Sequence, residues 1–462
     1  MIKRNSALLL VSVIVYAITS SVITFLLDSS EALAITYITL IHLALSICLL
    51  VLFGIKRTLI IALFVIFSWV FYCGQMFNAA FGYDEYNILP YLNYGTNENI
   101  LKSIKFYLYF QTILVASSLF FCLRNDKICC ENILNFRFEL KKNAIILITI
   151  GVVPKLYVSL QYLSATFSGG YSSLYNVYIP QVILSFAYLF DVGLIFVLLY
   201  FFNNKTYSRY ILMGILCYEM ILMLSGQRMF AVCFIIVLCL CFYYYNNIKL
   251  RFARSAAMCM FGVLFLSFLN FISKNRISGE YNLFGFVDEV TNFNLVFLPV
   301  FGEYGSALSS LVVAVQNVPD YVNYGFGITY IAALLSSIPY LVSAIDVFHG
   351  VTVYTKLFSG TIWLGGSGLG EFYYNFGAYG VMGGWIVGFL LGWCQRIIYN
   401  SKKNVGTVRL LISICLLIEI FLFIRGYMAD SVQKMLILAC ILFAIKHFNN
   451  KNLRKIKSYN QA

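Results

Sequence analysis

SALLLVSVIVYAITSSVITFLL, Ser6–Leu27, follows Lys3 and Arg4 and contains no charged residue. About 20 apolar residues at the helical rise span a bilayer core, and within hydrocarbon a helix satisfies its own peptide groups. The run is too long for the apolar core of a cleavable signal peptide, so it reads as a first span and no leader is expected. Similar runs recur to the end of the 462 residues. The chain is 61% hydrophobic and only 11% charged, with a mean hydropathy of +0.84; soluble domains carry about a quarter charged residues. The fold class is therefore an all-α polytopic membrane protein of about 12 transmembrane helices, 14 at most. The spans fall near 6–27, 32–53, 58–80, 104–123, 144–163, 181–202, 208–224, 229–246, 255–273, 371–395, 408–424 and 431–448.

The net charge of +13 would suggest nucleic acid in a soluble protein. Here it follows from topology, because cytoplasmic loops of membrane proteins collect Lys and Arg, and no nucleic-acid partner is expected. An even number of spans leaves both termini on one side. With that side cytoplasmic, most Lys and Arg fall inside, among them Lys56, Arg57, Arg124, Lys141, Lys249, Arg251, Lys402 and Lys455. The thirteen cysteines avoid the outer loops and have no zinc-type spacing; Cys129 and Cys130, for example, lie on the inner side. His42, His349 and His447 are scattered. No disulfide framework, metal or cofactor is expected.

Three regions follow. Residues 1–273 form an N-terminal membrane bundle of about nine spans, 274–370 a large periplasmic loop, and 371–462 the C-terminal spans and a cytoplasmic tail. A smaller outer loop, 81–103, is acidic and rich in Tyr and Asn. Within the large loop, FNLVFLPVFGEYGSALSSLVVAVQNV (Phe293–Val318) and ITYIAALLSSIPYLVSAI (Ile328–Ile345) are apolar. Their connection, PDYVNYGFG, has no Lys or Arg and makes a poor cytoplasmic loop. Re-entrant or interfacial helices are therefore preferred to a further pair of spans. No internal repeat is visible.

Charges that the topology does not require carry more information. Arg228 sits in LSGQRMF, Arg276 in SKNRISGE, Glu303 in FGEYG, Glu371 in GGSGLGEFYYNFGAYGVMGG (Gly365–Gly384) and Arg425 in FIRGYMADS. All five map to the outer face. Each arginine has a bland reading, a side chain snorkelling to headgroups. Three together, on the side where arginine is disfavoured, read as a clamp for a lipid diphosphate, since the guanidinium offers a planar fork to phosphate oxygens. Gly380, Gly384, Gly388 and Gly392 recur every four residues, a small-residue ladder for close helix packing. Gly365, Gly366, Gly368 and Gly370 come before the helix. They suit positive φ and close approach of a ligand to the backbone. Glu371 falls at a helix start, where the dipole favours negative charge. Its bland reading is such a terminal charge; the alternative is a base or orienting carboxylate beside a sugar hydroxyl. Tyr373, Tyr374 and Tyr379 offer flat faces suited to sugar rings. Lys155, Asp191, Glu219, Glu419 and Lys434 lie inside five spans, with no pairing legible between them.

The turn SGQRMF, the long outer loop, GGSGLGEFYYNFGAYGVMGG opening a span and the late FIRGYMADS together resemble the Wzy-type O-antigen polymerases of bacterial inner membranes. The likeness extends over the hydropathy profile of nearly the whole chain. It implies a lipid-diphosphate-dependent glycosyltransferase of GT-C-like architecture. A glycan on undecaprenyl diphosphate would be transferred to a new lipid-linked repeat unit at the periplasmic face. Its partners would be undecaprenyl-diphosphate-linked oligosaccharides, the bilayer and a chain-length regulator. On this resemblance Arg228, Arg276 and Arg425 bind diphosphate, Glu371 or Glu303 orients or deprotonates the acceptor hydroxyl, and Tyr373 and Tyr374 contact glycan. An O-antigen ligase, handing glycan to lipid A-core, and a lipid-linked oligosaccharide flippase are the alternative readings.

Overall fold

Among the described residues the apolar runs that the sequence marks form helices, because no other element saturates its backbone inside one segment. The computed structural model describes residues 6–28, 31–81, 96–123, 139–169, 177–224, 228–248, 271, 301, 304–305, 307–336, 366–404 and 407–459. No β-strand occurs among them. In chain order the helices are α1 (Ser6–Phe25), α2 (Ala32–Leu52), α3 (Ile55–Ala80), α4 (Asn97–Leu123), α5 (Leu140–Gly169), α6 (Gln181–Phe201), α7 (Lys205–Leu224) and α8 (Arg228–Tyr245). There follow α9 (Ala307–Asn317), α10 (Ile328–Ser336), α11 (Gly368–Phe376), a 3-10 turn (Gly377–Met382), α12 (Gly383–Tyr399), α13 (Ser401–Asn404), α14 (Val408–Leu422) and α15 (Met428–Tyr459).

Ten of the twelve expected spans each coincide with one of these helices; 371–395 is divided, and 255–273 lies outside the described residues apart from Phe271. Among the described residues seven segments are long and apolar enough to cross a membrane: α2, α3, α4, α5, α6, α8 and the stretch Gly368–Tyr399. The chain is a multi-pass helical membrane protein. Exposed Leu10, Ile14, Ile18, Ile145 and Val153 on α1 and α5 fit a hydrocarbon surround.

The expected span 371–395 is not one helix. Gly377 takes φ +57°, which ends α11, and the chain passes through the 3-10 turn before α12 begins. The glycine ladder divides accordingly. Gly384, Gly388 and Gly392 face α4; a Cβ on Gly384 would stand 2.5 Å from the Phe110 carbonyl oxygen, and one on Gly392 would overlap that of Ser118. Gly380 instead lies in the 3-10 turn and packs on the Phe372 carbonyl of α11.

Within the large loop, α9 and α10 measure only 11 and 9 residues as described. Nine consecutive residues of α9, Ala307–Val315, are buried, so this helix belongs to the protein core and not to the lipid boundary. It packs against α3, α4 and α11.

Polar side chains tie the spans where dispersion alone leaves orientation open. His42 Nε2 lies 2.9 Å from Thr112 Oγ1, and the Tyr16 hydroxyl 2.8 Å from Ser46 Oγ, joining α1, α2 and α4. The Tyr244 hydroxyl donates to the Lys56 carbonyl at 2.9 Å. That bond places the end of α8 beside the start of α3. The start of α8, Arg228, therefore shares a bundle end with the C-terminal half of α3.

Candidate active site

Two stretches far apart in sequence are laced together at that end. Ser367 caps α11: its backbone is extended (φ −148°, ψ 114°) and its Oγ accepts the Gly370 N–H at 3.2 Å. Glu371 falls in the first turn, where the helix dipole favours its charge, and is only 3% exposed. The turn after α14 docks on this segment. The Gly368 N–H donates to the Phe423 carbonyl at 3.1 Å. The Tyr72 hydroxyl, from α3, donates to the Ile424 carbonyl at 2.8 Å and lies 3.0 Å from Ser367 Oγ. The Met428 N–H, at the start of α15, donates to Glu371 Oε2 at 2.8 Å. Half-buried Arg425 thus sits in a turn whose neighbours on both sides are bound to the segment carrying Glu371.

This geometry corrects the reading of the upstream glycines. Gly368 and Gly370 lie within α11 and do not adopt positive φ. A Cβ on Gly366 would stand 2.9 Å from the Gly426 carbonyl carbon, and one on Gly368 would overlap the Phe423 ring. These glycines make room for the Arg425 turn. The space that the sequence suggested for a ligand is filled by protein. Gly365 lies outside the described residues.

A cover is pinned over α11 from the large loop. The Gly325 and Phe326 N–H groups donate to the Tyr374 and Asn375 carbonyls, each at 3.0 Å. Asn375 accepts the Gly327 N–H on Oδ1 at 2.9 Å, and its Nδ2 donates to Thr329 Oγ1 at 2.7 Å and to the Glu371 carbonyl at 2.9 Å. These bonds set α10 over α11 and bring Tyr330 to Glu371. Its ring stacks on Phe376 and tilts against Phe372. The Tyr330 hydroxyl is buried and has no hydrogen bond of good geometry among the described residues. Burial first, and the Glu371 charge second, raise its pKa well above the ordinary phenol value. It therefore stays protonated, a hydrogen-bond donor near the Asn375 side chain and within electrostatic reach of Glu371. Nothing in the sequence singled it out, since a tyrosine in an apolar stretch of this composition is commonplace.

The other expected residues divide. Arg228 opens α8 at the same end and is 8% exposed. Tyr374 is 3% exposed and packs with Ala314 and Val318, so its ring belongs to the core. Tyr373 is half-buried, edge-on to Phe106, and is the more accessible of the two. Tyr379 is 83% exposed. Arg276 and Glu303 lie outside the described residues.

The intramembrane charges, unpaired in the sequence, converge. Lys155 Nζ (α5) lies 2.8 Å from both carboxylate oxygens of Asp191 (α6), and Lys434 Nζ (α15) lies 3.3 Å from Glu419 Oε1 (α14). Both ammonium groups stand over one ring, Phe230 of α8, at 5.4 and 4.9 Å from its centroid. Glu219 of α7 is fully buried within electrostatic reach of Asp191 and Lys155.

An apolar cavity of about 270 Å³ opens beside the site, between α12, α14 and α15 and under Leu334 of α10. Phe372 and Met428 form its inner wall, each next to or bonded to Glu371, and Leu390 and Val432 line its flanks. Ile386 and Leu334 at the rim are about half exposed, so in a membrane the mouth faces lipid.

No curated protein matches the chain, and no solved structure matches it. The family model of the O-antigen polysaccharide polymerase Wzy does match, over residues 5–452. That match takes in Arg228, the Glu371 helix and the Arg425 turn docked on it. Its near-complete coverage, on a bundle of membrane-spanning helices, shows that the chain belongs to the O-antigen polysaccharide polymerase Wzy family.

Proposed function

We propose that the protein polymerises undecaprenyl-diphosphate-linked oligosaccharide repeat units at the periplasmic face of the bacterial inner membrane, with both termini cytoplasmic. The observation that carries this reading is the lacing of the Glu371 helix to the Arg425 turn. It sets a carboxylate and a guanidinium at one end of the bundle, with Arg228 at that same end. In the reaction the acceptor sugar hydroxyl attacks the anomeric carbon of the donor glycan. A C–O glycosidic bond forms, the bond from anomeric carbon to diphosphate oxygen breaks, and the hydroxyl proton leaves to a base. Charge grows on the departing diphosphate. Preorganised guanidinium groups, Arg228 and Arg425 with Arg276, stabilise it. Glu371 orients the acceptor or takes its proton, with Glu303 the second candidate. Tyr330 donates a hydrogen bond at the same place. Tyr373 supplies the sugar-facing ring. The apolar cavity beside Phe372 suits an isoprenoid chain. Residues 274–370 form the periplasmic cover, and a chain-length regulator is the expected protein partner.

The test is reconstitution. Protein in vesicles given lipid-linked repeat units should extend them stepwise on the lipid carrier with no lipid A-core present. A deletion strain should carry surface glycan of a single repeat. A strain with full-length glycan retained on the carrier would point to a ligase and sink the proposal.

A further inference from the structure

Phe230 stands two residues beyond Arg228 in the first turn of α8, between two buried ion pairs from four other helices. Lys155 is held by Asp191 at 2.8 Å and Lys434 by Glu419 at 3.3 Å, and both ammonium groups face the Phe230 ring. Lys155 and Asp191 are 8% and 6% exposed by side chain and Glu419 2%, with Lys434 at 27%. Buried pairs of this kind add little net stability over apolar packing, because desolvating the charges offsets their attraction. Their best-attested use is to fix register. A cation over an aromatic face is directional, and more so when desolvated. The pairs therefore define where the Phe230 ring sits, and with it the first turn of α8.

The same network reaches Glu371. Lys434 lies six residues after Met428 on α15, about 9 Å along the helix, and the Met428 N–H is bound to the Glu371 carboxylate. One rigid helix thus carries a bond to Glu371 at its start and a contact to Phe230 less than two turns later. We propose that Phe230, gripped by the Lys155–Asp191 and Lys434–Glu419 pairs, is a positioning residue that sets Arg228 relative to Glu371. The inference rests on the reading of Arg228 as a diphosphate ligand. Small displacements of a group that acts on the reacting atoms are costly to rate.

The experiment is a mutant cycle in reconstituted vesicles, with polymer formed from lipid-linked repeats as readout. Phe230→Leu keeps apolar bulk and removes the π-face; kcat should fall roughly 10- to 100-fold with protein level and KM little changed. Phe230→Trp, which presents a better π-face, should retain most of the activity. In an Arg228→Ala background, Phe230→Leu should cost nothing further, because the group it positions is gone. Should Phe230→Leu fail to accumulate, the double variant Lys434→Met with Glu419→Met removes one grip and keeps packing volume, and it should show the same kcat loss. Equal losses from Phe230→Leu in both backgrounds, a Phe230→Trp as impaired as Phe230→Leu, or a fully active double variant would overturn the inference. An Arg228→Ala of wild-type activity would instead refute the role of Arg228 itself.

Discussion

The Glu371 carboxylate accepts the backbone N–H of Met428 at 2.8 Å, so the first turn of α11 caps the start of α15. This bond has a structural value of its own, and it separates two roles. In Glu371→Gln the amide oxygen still accepts that N–H, but the group no longer takes a proton. Loss of a helix-start charge alone costs about 0.3–1 kcal/mol. The expected outcome is normal protein level with synthesis arrested at a single repeat. Normal ladders from Glu371→Gln would reduce this carboxylate to a cap. Tyr330→Phe, which removes only a buried hydroxyl, should lower the rate without lowering the amount of protein.

Arg228→Ala, Arg276→Ala and Arg425→Ala should each deplete polymer at unchanged protein level. A charge-assisted contact to phosphate is worth about 1.5–3 kcal/mol, hence about ten- to a hundredfold in rate. Lysine replacements should restore only part, because an ammonium lacks the guanidinium fork. Glycan ladders on gels provide the measurement, and wild-type ladders from all three alanine variants would mean the arginines merely snorkel.

Filling the cavity beside Phe372 should discriminate between lipid chains. Leu390→Trp places an indole between α12 and α14. KM should rise several-fold for a substrate on the full polyprenyl carrier and stay unchanged for the same glycan on a geranyl diphosphate. Equal effects on both substrates would assign the cavity to bulk membrane lipid.

Gly388→Leu should act on folding. A Cβ there would already overlap Ser117 Oγ and the Leu114 carbonyl of α4, so the helices must part, at a cost of about 1–3 kcal/mol or more. The amount of membrane-inserted protein on immunoblots should drop, in contrast to the arginine variants.

Orientation is tested by single cysteines. A membrane-impermeant thiol reagent applied from the periplasm should label Ser278→Cys and miss Asn404→Cys. The opposite pattern would move every proposed site residue to the wrong compartment.

The sequence by itself determined the class and, among the described residues, where most of the helices run. A span is a local property: a run such as Ser6–Leu27 has one way to satisfy its peptide groups in hydrocarbon, whatever surrounds it. A carboxylate at a helix start was legible in the same way, from Glu371 following the glycine run. Tertiary structure alone decided the rest. The break at Gly377 was hidden because hydropathy continues straight through it. Glycines 366 and 368 looked like room for a ligand until the Arg425 turn was seen to fill it. Lys155 found Asp191 and Lys434 found Glu419 over the ring of Phe230, although no spacing in the chain relates them. Such pairings depend on the depth and rotation of each helix in the bundle, and these are set by packing against neighbours that lie hundreds of residues away.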